Sequence, residues 1–109
     1  MNESIVYELQ AELCRAMSHA GRQMVVHILF DGQKNVNEIV NLTGINQSAV
    51  SRHLAILRRG GLVVSERHGQ EIYYRLANPK IVEVCNLMRT VLIDQLEERS
   101  MKVRQLQHD

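Results

Sequence analysis

One stretch of the chain decides its fold: residues 46–63, which read NQSAVSRHLAILRRGGLV. Its apolar residues recur at the spacing of one helical face: Ala49, Val50, Leu54 and Leu57. Asn46 is a favourable N-cap residue ahead of them, and the paired glycines Gly60 and Gly61 suit a left-handed C-cap. The stretch therefore predicts a helix with one buried face and one polar face.

A shorter helix is predicted directly before this one, because apolar residues again recur at helical spacing: Val36, Ile39, Val40 and Leu42. It stops at Thr43, and Gly44 supplies the tolerance of positive φ that a tight turn between two helices requires. Ile39, Ile45, Val50 and Leu54 are spaced to lock the two helices together. Residues from about 36 to 60 therefore predict a helix-turn-helix.

After the paired glycines the pattern changes from helical to extended. Residues 62–66 and 71–76 are two β-rich runs, which predict a hairpin over about 62–76. A strict two-residue turn at His68-Gly69 would place Glu66 opposite Glu71, an unfavourable pairing of like charges. We therefore expect a longer or bulged loop between the strands.

Helices are predicted on both sides of this central region. A first helix begins after Ser4 as N-cap and runs to Met17, and a second, buried helix covers residues 22–30. Residues 33–35 form a polar connector. A last helix covers about 79–98, with Asn78 as cap and Pro79 in the first position, and the tail beyond Ser100 is expected to fray. The prediction is a mainly α (α+β) fold, with one domain over residues 1–109.

Composition and charge narrow the function. The chain has 109 residues, of which 45% are hydrophobic, and its apolar runs are too short for a membrane span. The start of the chain lacks the features of a signal peptide and two cysteines cannot form a disulfide scaffold, so we expect a cytoplasmic protein. Residues 45–80 carry six basic and two acidic side chains, whereas the segments on either side are slightly acidic. This basic middle is typical of a segment that meets a polyanion.

The polar face of the central helix carries residue types that suit a DNA groove. Gln and Arg make paired contacts to base edges and Ser fits close to bases or phosphates, which identifies these candidates for base contact: Gln47, Ser48, Ser51 and Arg52. Arg58 and Arg59 suit phosphate contacts. His53 is assigned a DNA-proximal structural role, and the hairpin tip offers Arg67, His68 and Gln70 for a minor groove or the backbone. A solvated turn is an equally good interpretation of the tip.

Residues 46–63 resemble the recognition segment of the ArsR/SmtB family of prokaryotic winged helix-turn-helix repressors. Further similarities are AMSH at 16–19 and IYYRL at 72–76, so that the resemblance covers about residues 9–96. It implies a winged helix-turn-helix homodimer joined through the first and last helices, a pseudo-palindromic DNA operator, and release from DNA by an inducer that the sequence does not identify. The long apolar stripe of the last helix independently predicts a partner surface.

The chain departs from the metal-sensing members of that family. The first helix of the helix-turn-helix has no Cys-x-Cys pair, and no histidine lies between Ile81 and Arg99. We therefore expect no metal site and no cofactor. A persulfide-sensing branch of the family uses two thiols at positions that correspond here to His27 and to about Ile93. Cys14 and Cys85 lie elsewhere, and they are candidates for thiol or metalloid sensing or simply for small buried apolar residues.

Three function classes compete on the sequence alone. The first is a sequence-specific DNA-binding repressor, and the second is a winged-helix module that binds an acidic protein instead of DNA. The third, a thiol-dependent enzyme, is not expected, because neither cysteine has a nearby His and acid to activate it and no phosphate-binding glycine loop is present. The groove-compatible residues at 47, 48, 51 and 52 favour the first class.

Overall fold

A computed structural model describes residues 2–108, which divide into two units between Pro79 and Lys80. The described residues contain five helices and three strands, in this order: α1 Glu3–Ala16, α2 Ala20–Ile28, β1 Lys34–Asn35, α3 Val36–Thr43, α4 Gln47–Arg59, β2 Val63–His68, β3 Glu71–Leu76 and α5 Lys80–His108. The predicted order of helices and hairpin is confirmed. The short strand β1 was not predicted.

The turn between α3 and α4 forms as the sequence indicates. Gly44 has a φ of 75° and closes α3 by donating its N–H to the carbonyl oxygen of Val40 at 2.9 Å. The Thr43 hydroxyl donates to the Ile39 carbonyl oxygen at 2.7 Å and accepts the N–H of Ile45 at 3.2 Å. Asn46 then caps α4, since its side-chain oxygen accepts the N–H of Ala49 at 2.9 Å. These hydrogen bonds hold the end of α3, the turn and the start of α4 in a fixed arrangement.

The core of the first unit is aliphatic and lies mainly between α2, α3 and α4. Its fully buried side chains come from all three helices and from the start of β2: Val25, Val26, Ile39, Val50, Leu54, Leu57 and Val63. Ala16 is also buried, and a Cβ added at Gly60 would lie 2.9 Å from its methyl group. The end of α1 therefore approaches the end of α4 closely enough to require the absence of a side chain at position 60.

The end of α4 is the glycine cap that the sequence predicts. Gly61 has a φ of 79°, its N–H donates to the Arg58 carbonyl oxygen at 3.1 Å, and the Leu62 N–H donates to the Leu57 carbonyl oxygen at 2.9 Å. This pair of bonds is the Schellman motif, in which a residue with left-handed geometry reverses the chain. The reversal leads directly into β2.

The hairpin turn differs from the prediction of a longer or bulged loop. β2 and β3 pair from Val63 opposite Leu76 to His68 opposite Glu71, which leaves Gly69 and Gln70 as a two-residue turn. Gly69 has a φ of 66° in the first central position, as a type II′ turn requires. The turn lies one residue further along the chain than a turn at His68-Gly69, so Glu66 faces Tyr73 and the pairing of two glutamates is avoided.

Strand β1 joins the outer edge of this hairpin. Lys34 pairs with Tyr74 and Asn35 with Tyr73, giving a three-stranded antiparallel sheet in the order β1-β3-β2. Asn35 also forms a capping box at the start of α3, in which its side chain accepts the Glu38 N–H and the Glu38 carboxylate accepts the Asn35 N–H. The residues predicted to be a plain connector therefore link the hairpin to α3.

The ends of two other helices also differ from the prediction. Asn2, not Ser4, caps α1, and its side-chain oxygen accepts the Ser4 N–H at 2.9 Å. Helix α2 begins at Ala20, before the predicted Arg22, because His19 acts as its N-cap and accepts the Gly21 N–H at 3.0 Å. An imidazole is a less common cap than Asn or Ser, which is why the sequence pattern placed this start too late.

The second unit is the single helix α5, which extends past the predicted end near residue 98 as far as His108. Its last part lacks helix-breaking residues, since neither Gly nor Pro occurs between Lys80 and His108. Apolar side chains are exposed along most of its length, including Leu87, Met88, Leu92 and Leu96. The tail that was expected to fray is helical.

Replacing Gly61 by Ala is expected to destabilise the protein by about 1–2 kcal/mol, because a Cβ disfavours the left-handed backbone at this position. Gly61→Asn is the matched control, since Asn tolerates that conformation better than other side chains. Urea unfolding of the three proteins measures the difference. Equal stability of the wild type and Gly61→Ala would contradict the assigned role of this glycine.

Candidate nucleic-acid interface

Helix α4 separates its side chains into a buried face and an exposed face. Val50, Leu54 and Leu57 are buried, with 0–1% of their surface exposed. With about 100° between successive residues, Ser48, Ser51, Arg52 and Arg59 point away from this stripe, and Gln47 and Arg58 lie at its border. The side chains of this helix predicted to make base or phosphate contacts all lie outside the buried stripe. These are all exposed: Gln47, Ser48, Ser51, Arg52, Arg58 and Arg59. The fold thus leaves these six predicted residues exposed to solvent, and His53 is the seventh predicted residue of the helix.

This exposed surface is uniformly free of negative charge. Residues 47–59 contain three arginines and no Asp or Glu. Gln47 and Ser48 form the first turn of α4, Ser51 and Arg52 follow one turn later, and Arg58 and Arg59 lie in the last turn. The start of the helix therefore offers short polar groups, and its end offers cations.

Ala55 is a member of this surface that the sequence pattern did not single out. It is exposed and lies on the same side of α4 as Ser48, Ser51 and Arg52. Its methyl group leaves room for close approach, and alanine is one of the residues that contact the methyl group of thymine. No sequence signal distinguishes it from an ordinary helix-forming alanine until the buried face is known.

His53 lies apart from the exposed surface, at the edge of the buried face. Its ring centroid is 4.8 Å from that of His19, the residue that caps α2. Burial lowers the pKa of His53 below its ordinary value of 6.5, and the neighbouring charges of His19, Arg22 and Arg52 act in the same direction. This ring is therefore held between α4 and the start of α2, and its DNA-proximal structural role stays a prediction.

The hairpin tip presents two different faces. Because side chains alternate along a strand, Glu66 and His68 share one face of β2, and Glu71 and Tyr73 share that face on β3. The Nε2 atom of His68 lies 3.5 Å from a carboxylate oxygen of Glu66. Arg67 is exposed and lies on the other face. The structure therefore does not bring Arg67 and His68 together, and only Arg67 is clear of the two glutamates.

Tyr73 links the acidic face of the hairpin to the start of α3. Its hydroxyl donates to a carboxylate oxygen of Glu71 at 2.8 Å, and the Asn35 side-chain amide lies 3.5 Å from the same oxygen. The hydrogen bond and the negative charge of Glu71 raise the pKa of Tyr73 above its ordinary value of 10.0. Sequence reasoning missed this cluster, because its members are up to 38 residues apart and meet only through β1.

The two cysteines are both free thiols. Cys14 is exposed on α1 and Cys85 is partly buried on α5. Burial raises the pKa of the Cys85 thiol, although Arg89 opposes this shift, so its reactive thiolate form is disfavoured at neutral pH. A sensory role of either thiol stays a prediction. Among residues 2–108, no three or more His, Cys, Asp or Glu side chains are grouped so as to hold a metal ion.

Two further surfaces are apolar. On α1, large apolar side chains are exposed: Ile5, Val6, Tyr7, Leu9 and Leu13. Helix α5 carries a longer exposed set, which includes Val91, Leu92, Ile93 and Leu96. No helix in residues 2–108 combines the length and the apolar character that crossing a membrane demands.

Comparison with known proteins identifies the family. The profile described as "Bacterial regulatory protein, arsR family" matches residues 19–65. A biofilm growth-associated repressor of Xylella fastidiosa is 34% identical over 85 residues, which cover 78% of this chain and 75% of that protein. The chain belongs to the ArsR family. Relatives of this chain are named as transcriptional repressors. This ArsR-family chain is therefore a DNA-binding transcriptional regulator.

Solved structures of relatives confirm the winged helix-turn-helix fold. The crystal structure of Mycobacterium tuberculosis Rv0081 has a TM-score of 0.78 with 32% identity, covering 86% of this chain and 95% of that one. A domain of Mb0332 from Mycobacterium bovis, described as homodimeric and DNA-binding, has a TM-score of 0.80 with 28% identity and covers 88% and 89% of the two chains. The β2–β3 hairpin is accordingly the wing of this fold, and α3 and α4 are its helix-turn-helix.

Replacing Glu71 by Gln is expected to lower the pKa of Tyr73 towards 10.0, because the amide carries no charge to oppose the phenolate. A pH titration of phenolate absorbance measures the shift, and Tyr73→Phe identifies its signal among the three tyrosines. Glu66→Gln is the matched control, since it removes a carboxylate from the same face but leaves the acceptor of the Tyr73 hydroxyl in place. An unchanged Tyr73 titration in Glu71→Gln would exclude the hydrogen bond in solution.

Proposed function

We propose that this protein is a repressor that binds a double-stranded DNA operator with α4 in the major groove and the tip of the wing beside it. One observation carries the proposal: the exposed surface of α4 combines groove-compatible side chains at its start with arginines at its end and has no carboxylate. Polar helix surfaces in general mix both signs of charge, because they need only to be solvated. The negatively charged phosphate backbone of DNA favours a surface whose charges are all positive.

The residues of this surface divide into two roles. Gln47, Ser48, Ser51 and Arg52 lie in the first two turns of α4, where a recognition helix meets base edges. Paired hydrogen bonds from Gln to adenine and from Arg to guanine distinguish base pairs in the major groove. Arg58 and Arg59 in the last turn, together with Arg67 and Gln70 of the wing, are assigned to phosphates and the neighbouring groove.

A homodimer and a pseudo-palindromic operator belong to the same proposal. A monomer would leave the apolar side chains of α1 and of α5 exposed to water, which is energetically unfavourable. A second copy of the chain would cover them. The related Mycobacterium bovis domain is described as homodimeric. Two recognition helices related by a two-fold axis fit half-sites about 34 Å apart, one turn of DNA.

The alternative function, binding an acidic protein, would use the same arginines for another purpose. It gives no reason for Gln47, Ser48 and Ser51 to lie on the exposed side of the first two turns. The two functions also predict different effects of single substitutions. Only for a protein that recognises a DNA sequence do base contacts affect sequence preference while phosphate contacts affect binding to all DNA.

The test uses a duplex that the wild-type protein selects from a random library, and an unselected duplex of equal length. Gln47→Ala and Arg52→Ala are expected to lose about 1–3 kcal/mol of binding free energy on the selected duplex and little on the other. Arg58→Ala and Arg67→Ala are expected to weaken binding to both duplexes. Each of these two changes should also reduce the slope of log K against log salt by about 1, because one phosphate fewer is neutralised.

Gln33→Ala is the control for Gln47→Ala, because Gln33 is exposed in the loop between α2 and β1, outside the proposed surface. Fluorescence anisotropy at several salt concentrations measures each affinity. Failure of the wild type to enrich any sequence, or equal effects of all four variants on both duplexes, would contradict the proposed function.

A further inference from the structure

His53 occupies an unusual place for a residue of a recognition helix. Its ring leaves the exposed surface of α4 and packs against the start of α2, where the ring centroid of His19 is 4.8 Å away. The Nδ1 atom of His53 is buried and has no hydrogen-bond partner within the described residues. A buried polar atom without a partner carries a cost, so its position requires a physical reason.

Gly21 supplies the space that the His53 ring fills. A Cβ added at Gly21 would lie 2.7 Å from His53 Nε2 and 3.2 Å from two ring atoms of His19. Real Cβ atoms do not tolerate the first of these distances, so the imidazole stands where the side chain of any other residue at position 21 would begin. The backbone of α2 and the ring on α4 are therefore fitted to one another.

We propose that His53 is a positioning residue, which holds the recognition helix against the start of α2 as a neutral ring, and that uptake of a proton by this ring releases the contact. The effect on DNA rests on the function proposed above, whereas the effect on stability does not. As a positioning residue, His53 touches no base or phosphate and acts through the orientation of α4.

The surroundings of the pair oppose a positive charge. The charged and titratable groups that act on His53 are His19 and Arg22 from the side of α2 and Arg52 from its own helix, and none of them is a carboxylate. His19 adds a second restriction, because its Nδ1 atom accepts the Gly21 N–H at 3.0 Å. A protonated imidazole can only donate, so a proton on that atom would remove the cap of α2.

The sign of the pH dependence follows from these contacts. Burial and the nearby cations lower the pKa of His53 in the folded protein, whereas in the unfolded chain it keeps its ordinary value of 6.5. Below that pH the unfolded state binds more protons than the folded state, so stability falls as the pH falls. The loss begins near pH 6.5 and continues down to the lower folded pKa. Well above pH 6.5 the ring is neutral in both states and contributes no pH dependence.

The first experiment compares urea unfolding of the wild type, His53→Gln and His27→Gln at about pH 7.5 and about pH 5.5. The ratio of the unfolding constant of the wild type to that of His53→Gln is expected to rise by up to about tenfold on acidification. This is the limit for one proton that binds only to the unfolded state, whose pKa lies about one unit above the lower pH. His27 is exposed on α2, so the ratio of the unfolding constants of wild type and His27→Gln is expected to stay constant between the two pH values. An unchanged ratio for His53→Gln would overturn the proposal.

The second experiment tests the fit between the ring and Gly21 without changing the pH. Gly21→Ala is expected to destabilise the wild type, because the new methyl group displaces His53. In a His53→Ala background the same change is expected to cost less, because the ring 2.7 Å from the new Cβ is gone and alanine favours a helix over glycine, whereas the contact with His19 is common to both backgrounds. An equal effect in both backgrounds would show that the His53 ring is not held in this position.

The third measurement separates a positioning residue from a direct phosphate contact. If His53 orients α4, acidification weakens binding to the selected duplex more in the wild type than in His53→Gln. If instead the ring met a phosphate, its protonation would strengthen wild-type binding, and the proposal would be wrong. Absence of binding at any pH would refute the proposed function alone, since the two unfolding experiments decide the role of His53 without DNA.

Discussion

The packing of α4 against α2 and α3 is the interaction on which the rest of the structure depends. Val50, Leu54 and Leu57 enter the aliphatic core, and this fixes which side of the helix remains in water. The turn at Gly44 and the glycine cap at Gly61 then set where α4 begins and where the wing departs. Because the buried stripe is purely aliphatic, the polar side chains of the helix lie outside it, and His53 lies at its edge.

The parts that the sequence predicts well are those governed by local rules. Helical spacing of apolar residues identified α3 and α4, Asn46 identified the start of α4, and the paired glycines identified its end. The exposed residues of α4 followed from the same periodicity, since a face opposite a buried stripe must be exposed. The assignment of this face to DNA came from its residue types and from the family resemblance, and the comparisons confirm the family.

The parts that the sequence did not predict depend on contacts between distant residues or on uncommon local partners. Strand β1 has only two residues and exists because Lys34 and Asn35 meet Tyr74 and Tyr73. The need to keep Glu66 and Glu71 apart could not decide the register of the hairpin. A bulge would separate the two glutamates, and so does a turn moved by one residue, which is the arrangement found. Likewise, only the fold brings His53 to Gly21, which lies 32 positions earlier in the chain.

The exposed face of α4 and the wing together are the surface that we propose meets DNA. The most direct measurement is an NMR titration of isotope-labelled protein with a selected duplex, which follows every backbone amide. We expect the largest changes at residues 47–52 and around Arg67, with smaller ones in the buried parts of α2 and α3. Changes confined to α5, or equally large for an unselected duplex of the same length, would contradict the proposed DNA-binding surface.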